Sequence, residues 1–158
     1  MTFKEILYDI YNVKENDRLT YAINKYGKLF SKDIIEHFLV WHCHCFDHEL
    51  FNYFDYIDIS KYVIIRKSIT SDEVFSLVDY APPCNFRDES IEDFKMICDY
   101  NHWPNGTWSA PIIAIKENKK YLAVDGNNRL RMLRLYLKYS NGYKSKNHLL
   151  YVLRKKDI

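Results

Sequence analysis

Long apolar runs are missing from this chain, and none approaches the roughly 20 residues that span a bilayer. The opening Met1-Thr2-Phe3-Lys4-Glu5 lacks the basic-then-apolar layout of a secretory leader, so the sequence predicts a cytoplasmic protein. Glycine and proline are scarce, four of each, which excludes collagen-like, linker-like and loop-dominated folds. Cysteine is scarce too: Cys43, Cys45, Cys84 and Cys98 include no Cys-x-x-Cys pair. In a cytosolic chain they read as reduced thiols rather than a disulfide framework.

What is present is a well-stocked interior. Hydrophobic residues make up 47% and charged residues 28%, which excludes disorder. Aromatics reach 16%, with 14 Tyr and 9 Phe, and favour a rigid, well-packed core. A chain of 158 residues fits one domain, or a core with one helical extension. It can bury roughly 68–70% of its unfolded surface without staples. The net charge of +2 hides an asymmetry. Residues 1–110 hold 11 basic and 18 acidic side chains, whereas residues 111–158 hold 12 and 3. Either the two parts attract each other or the basic part faces phosphate.

The first half reads helical. Thr2 is positioned to cap a helix bearing Phe3, Ile6, Leu7 and Ile10 at helical spacing. Asn16 or Asp17 is the candidate cap of a second, with Leu19, Ala22, Ile23, Tyr26 and Phe30 on one face, weakened at its end by Gly27. From Ser31 to about Phe54 runs the longest helix candidate, apolar over much of its circumference and therefore buried. Tyr62-Val63-Ile64-Ile65 is short and β-branched and predicts a strand. Thr70-Ser71-Asp72-Glu73 then starts a helix with Val74, Phe75, Leu77 and Val78. Pro82-Pro83 forbids helix, and Ser90 caps a further one carrying Ile91, Phe94, Ile97 and Cys98. Asn101 to Ser109 is a loop. Pro111 to Ile115 and Tyr121 to Val124 form a hairpin turning at Glu117-Asn118-Lys119. A helix with Leu130, Leu133 and Leu137 inward follows, and then a closing strand, His148 to Leu153.

The strand–turn–helix at Ala123-Val124-Asp125-Gly126-Asn127-Asn128-Arg129-Leu130 carries the chemistry. Glycine permits a tight turn and close backbone approach. Amides at a helix N-terminus are donors at the positive end of the helix dipole. Arg129 adds a planar charged fork. Together these parts make a phosphate cradle. Asn127 and Asn128 are suited both to capping the helix and to contacting a ligand. Asp125 is placed to hold a metal or to orient the arginine. The plain alternative is a structural turn with an Asn cap.

These residues resemble the signature of the ParB/sulfiredoxin-like superfamily. There a Pro-Ile strand leads to a strand ending in a Gly-x-[His/Arg]-Arg box at the start of a helix. The resemblance covers residues 58–156, most fully 88–156, and residues 1–57 stand apart as an α-helical N-terminal extension. It implies an α/β (α+β) architecture, a compact domain over 58–158 with a small mixed sheet. It also implies a nucleotide phosphate bound at the box. Activities in the superfamily are varied: nucleotide hydrolysis, phosphoryl transfer, sulfinic acid reduction and nuclease activity. Fold alone therefore does not settle function. Asn127 stands where sulfiredoxins carry Cys and partition proteins carry Glu, and Asn128 stands where the family has His. Neither replaces a thiol nucleophile or a charge.

The expectation is thus a nucleotide- or phosphodiester-binding protein. Gly126, Asn127, Asn128, Arg129 and Arg131 would hold a nucleoside triphosphate (ATP or CTP) with Mg²⁺. Asp125, Arg129 and Glu89 are the catalytic candidates for hydrolysis or phosphoryl transfer. Asp88 and Glu92 fit the same role as Glu89, as does a merely solvated acidic helix start. The alternatives are a catalytically degenerate protein-binding module, such as an inhibitor, immunity or phage accessory protein, and a DNA- or RNA-binding nuclease-like protein. The latter would use the basic C-terminal region ending in Arg154-Lys155-Lys156.

Two further constellations are weaker. His42-Cys43-His44-Cys45-Phe46-Asp47-His48 places His44 and His48 on one helix face. Zinc needs ligands from four directions, so Cys84, Cys98 or His102 would have to join, and core packing is the favoured reading. Either cysteine beside a histidine lacks an orienting third group. Trp103 and Trp108 are placed either to stack a base or to plug the core, and the core is favoured.

Overall fold

Thr2 starts the first helix as its spacing predicts. In the computed structural model, which describes residues 1–45, 57–79, 105–108 and 110–157, α1 spans Phe3–Tyr11. The Thr2 hydroxyl accepts from the Glu5 amide at 3.2 Å, and the Glu5 carboxylate accepts from the Thr2 amide at 2.7 Å. That reciprocal pair satisfies two orphan donors of the first turn. Phe3, Ile6, Leu7 and Ile10, at the predicted spacing, form the buried face. A 3₁₀ turn, Glu15–Asp17, leads into α2, Arg18–Tyr26. Asp17 makes no side-chain cap, because the preceding 3₁₀ turn already holds its backbone in helical conformation.

The third helical stretch departs from expectation. α3 is a single turn, Lys32–Ile34, that widens into a π-helix over Ile35–Val40 and tightens to a 3₁₀ turn at Cys43–Cys45. One regular helix from Ser31 onward is therefore not what forms, and residues 46–56 lie outside the described ones. Burial still follows the apolar residues: Ile34, Ile35, Phe38 and Leu39 are in the core. Phe3 meets Phe38 edge-on at 5.4 Å and Phe30 at 5.9 Å.

By internal contacts the chain divides into two units, Met1–Ile64 with Arg154–Ile158, and Ile65–Leu153. In the first, Thr2 pairs with Asp58 as an isolated bridge, and the Ile59 amide donates to the Met1 carbonyl at 3.0 Å. The Lys156 amide donates to the Lys61 carbonyl at 2.8 Å, and its ammonium reaches the Ser60 carbonyl at 2.7 Å.

The chain is an α+β protein: N-terminal helices precede a mixed five-stranded sheet in the order β1-β5-β3-β4-β2. The strands are β1 (Tyr62–Thr70), β2 (Val78–Asp79), β3 (Ile112–Glu117), β4 (Lys120–Asp125) and β5 (Asn147–Lys155). β3 is antiparallel to β4 and parallel to β5, and β2 is parallel to β4. β3 holds the middle of the order, and Ile112, Ile113, Ala114 and Ile115 are all buried. An unbroken apolar run is what a strand covered on both faces needs. The hairpin turn is Asn118-Lys119, both at positive φ (46° and 69°), a conformation suited to a two-residue hairpin loop.

α4, Ser71–Ser76, begins at a Thr70 capping box as predicted but stops before Leu77. Val78, expected in the helix, pairs with Leu122 in β2 instead, because a β-branched residue gains more as a sheet neighbour. α5, Asn127–Tyr139, packs Leu130, Leu133 and Tyr136 onto Ile112, Ala114, Ala123, Leu150 and Val152. The inward position predicted for Leu137 is filled by Tyr136, with Leu137 packing at the margin. Arg134 of α5 donates to the Val74 carbonyl at 3.3 Å and to the Leu77 carbonyl, supplying donors to the open end of α4. The predicted helix at Ser90, the Pro82-Pro83 break and the start of the 101–109 loop lie outside the described residues.

Candidate functional site

The turn between β4 and α5 is built on Gly126. Its φ is +83° and ψ +25°, in the left-handed region. A Cβ there would sit 2.8 Å from an Arg129 guanidinium nitrogen and 3.0 Å from Ile112 Cγ1. The left-handed conformation requires glycine, whereas the nearest neighbour is the movable end of the Arg129 side chain. Gly126 itself is the N-cap of α5, and no side chain caps the helix. The expected Asn cap is thus corrected: Asn127 and Asn128 already belong to the first turn. Asn128 is exposed, while Gly126, Asn127 and Arg131 are half-buried.

A bulge precedes the turn. Ile115 pairs with Leu122 and Ala114 with Ala123, but Ile113 pairs with Asp125, so Val124 is the extra residue of β4. Bulges bend a strand and re-aim the side chains beside them. Here the re-aimed residue is Asp125, whose side chain keeps 10% of its surface exposed. Arg129 folds back over the glycine and pairs with it, Nη2 to Oδ2 at 3.0 Å. The same nitrogen donates to the Pro111 carbonyl at 3.3 Å. One side chain therefore ties the start of α5, the end of β4 and the entry to β3 together. Arg129 Nε is buried and has no hydrogen-bond partner among the described residues. A buried guanidinium donor without a partner is costly, more so than a neutral one.

The sequence-predicted residues are thus partly brought together. Asp125, Gly126 and Arg129 touch, Asn127 and Asn128 adjoin them along the helix, and Arg131 lies two residues further along α5. Glu89, with Asp88 and Glu92, lies outside the described residues. Trp108 plugs the core: it is buried, and its indole donates to the Leu149 carbonyl at 2.8 Å. Cys43 is buried. His42 packs against Phe38 with ring centroids 5.4 Å apart. Among the described residues no group of three or more His, Cys, Asp and Glu side chains is placed to hold a metal. No helix among them is long and apolar enough to cross a membrane.

Two polar clusters were not legible beforehand. His148, 1% exposed, sits between Ser71 Oγ (3.0 Å from Nε2) and Thr107 Oγ1 (2.7 Å from Nδ1), with Trp108 against its ring at 5.7 Å. Burial pushes its pKa down. Two hydroxyls satisfy a neutral imidazole whichever nitrogen carries the proton. In the helical unit, Asp9 Oδ2 accepts from Tyr26 (2.5 Å), Tyr21 (2.9 Å) and Lys25 (2.9 Å). Burial raises the Asp9 pKa, but the bonds from Tyr26, Lys25 and Tyr21 outweigh it and leave the carboxyl below its ordinary value. The i, i+4 and i, i+5 spacing of Tyr21, Lys25 and Tyr26 was visible on α2; their convergence on Asp9 of α1 was not.

No family model, curated protein or solved structure matches this chain.

Proposed function

We propose that the β4–α5 turn binds a phosphate group, carried by a nucleotide or a phosphodiester, as in a ParB/sulfiredoxin-like protein. The observation that carries this reading is the unpartnered, buried Nε of Arg129 beside a left-handed glycine at a helix start. A phosphate oxygen is the acceptor such a donor lacks, and the helix dipole favours its charge. Gly126 lets the Arg129 guanidinium lie against the turn at the helix start. Exposed Asn128 adds a side-chain amide from the first turn.

Binding is better supported than turnover. Asp125 is engaged by Arg129. It acts as the residue that holds the guanidinium over the turn, so a metal-ligating or base role would require that pair to open. A nucleoside triphosphate with Mg²⁺ remains the ligand the reading favours. ATP or CTP would bring its phosphates to Arg129, and the metal would screen their charge.

The test is a thermal-shift and calorimetric screen of ATP, CTP, GTP and inorganic phosphate, each with and without Mg²⁺. Ligands that bind only the native state raise the midpoint by mass action, about 2.7 kcal/mol at a hundredfold excess over Kd. Asn128→Asp is the chosen variant, because Asn128 is exposed and its replacement leaves the Arg129 pair intact. A shift with a nucleotide that disappears in Asn128→Asp supports the reading. Absence of any shift, or an equal shift in the variant, overturns it.

A further inference from the structure

The helical unit holds a concavity of its own. It has a volume of about 440 Å³ and is lined by Glu15, Arg18, Glu36, Val40, Trp41 and His44 among others. Trp41 stands out chemically. An indole is normally among the more buried side chains, yet Trp41 is 69% exposed. Its indole makes no hydrogen bond or ring contact among the described residues. Glu15 and Glu36 are likewise exposed and unpaired among the described residues. The Arg18 charge is committed elsewhere. Its Nε donates to the Val13 carbonyl at 3.1 Å and its Nη2 to the Tyr11 carbonyl at 3.0 Å, while the guanidinium lies 5.1 Å from the Tyr11 ring centre. Those bonds satisfy carbonyls at and just beyond the end of α1 and hold the guanidinium against the Tyr11 ring.

The π-helical stretch explains why these groups share a wall. In an α-helix, residues five apart diverge around the axis. In a π-helix the turn lengthens, so residues i and i+5 come closer around the axis, and such insertions recur at functional sites. The widening over Ile35–Val40 therefore brings Trp41 onto the face of Glu36 and Val40. An aromatic plane beside two unpaired carboxylates is a site for an organic cation.

We infer that this cavity binds a guanidinium group, stacked on Trp41 and countered by Glu36 and Glu15. A planar, weakly hydrated cation matches an indole face and carboxylate acceptors better than a compact ammonium does. The group belongs either to a small guanidinium compound or to an arginine of a polypeptide, and the chemistry of recognition is the same.

The full-length protein is titrated with N-acetyl-arginine amide, with its neutral isostere N-acetyl-citrulline amide, and with a short arginine-containing peptide. The readout is the indole N–H resonance of Trp41, identified by its loss in Trp41→Phe. The arginine derivative shifts that resonance and the citrulline derivative does not. Trp41→Ala weakens binding by calorimetry about tenfold, and Glu36→Gln about fivefold, in line with one stacked cation and one ion pair. A peptide that binds tighter than the amide identifies a polypeptide source, and equal affinity identifies a small molecule. No shift with either derivative overturns the inference, as does an equal shift from citrulline. Since the citrulline comparison is made on the unaltered protein, a variant that fails to fold does not obscure the outcome.

Discussion

Asp125 and Arg129 form a pair in which the carboxylate is nine-tenths buried and the guanidinium keeps 26% of its surface in water. Removing one partner of such a pair strands the other, and that penalty exceeds the net worth of the pair. Asp125→Ala is therefore expected to cost about 3 kcal/mol, near the low end for a buried pair because Arg129 is partly solvated. Urea unfolding of the variant checks it, and a loss under 1 kcal/mol would show that the clasp contributes little. Gly126→Ala acts through the backbone. A Cβ in the left-handed region costs roughly 1–2 kcal/mol, and the guanidinium end it would meet can shift, so the loss should fall near that range. Glycine between strand and helix, with an acid before it and an arginine after, was plain in the sequence. That Arg129 would reach back to the Pro111 carbonyl was not, since that contact depends on the side chain folding over Gly126 instead of extending into solvent.

Among elements, the β3–β4 hairpin offers the cleanest test. Both Asn118 and Lys119 have positive φ. Asn tolerates that region and Lys does not, so Lys119 holds a strained backbone. Lys119→Gly should stabilise the protein by about 0.5–1 kcal/mol, the relief of Cβ strain less the entropy of a glycine. A lower urea midpoint in the variant would contradict the turn assignment. α4 gives a second check, because its Thr70 hydroxyl accepts from the Glu73 amide. Thr70→Ala should cost about 1 kcal/mol. The hairpin, α1, α2, α5 and the closing strand were legible because local signals agree there: alternation, helical spacing, caps and turn residues. The Ser31 stretch was not. Its apolar residues recur at helical spacing, but hydrophobic pattern does not distinguish an α-helix from a locally widened one.

At the scale of the molecule, the two units should respond to acid in different ranges. His148 lies in one and Asp9 in the other. The folded-state pKa of His148 is lowered, so the unfolded chain takes up its proton first as pH falls. The stability it contributes is full above the unfolded value of 6.5, declines as pH falls through it, and levels off once the folded pKa is passed. Asp9 is a depressed carboxyl. Its contribution is full above its unfolded value of 3.8 and is lost as pH falls through the folded pKa below that. Amide exchange followed against pH should thus show the unit containing His148 loosening first, below pH 6.5, and the helical unit later, below pH 3.8. His148→Gln, which retains hydrogen bonding to Ser71 and Thr107, should flatten the upper range alone, and Asp9→Asn the lower. Simultaneous loosening of both units in unaltered protein would sink this account.

What the sequence determined by itself was whatever depends on neighbours a few residues apart. Thr2 and Thr70 mark helix starts, Glu117-Asn118-Lys119 a hairpin turn, Gly126 a turn, and the run Pro111 to Ile115 a strand. The α+β class follows from those local elements in order. Tertiary structure alone decided which distant groups meet. It set the bulge at Val124 that aims Asp125, the reach of Arg129 to Pro111, the burial of His148 between Ser71 and Thr107, and the convergence of Tyr21, Lys25 and Tyr26 on Asp9. These contacts join residues separated by loops and crossovers, where chain entropy leaves many pairings open until the core closes and burial makes an unpaired polar group costly.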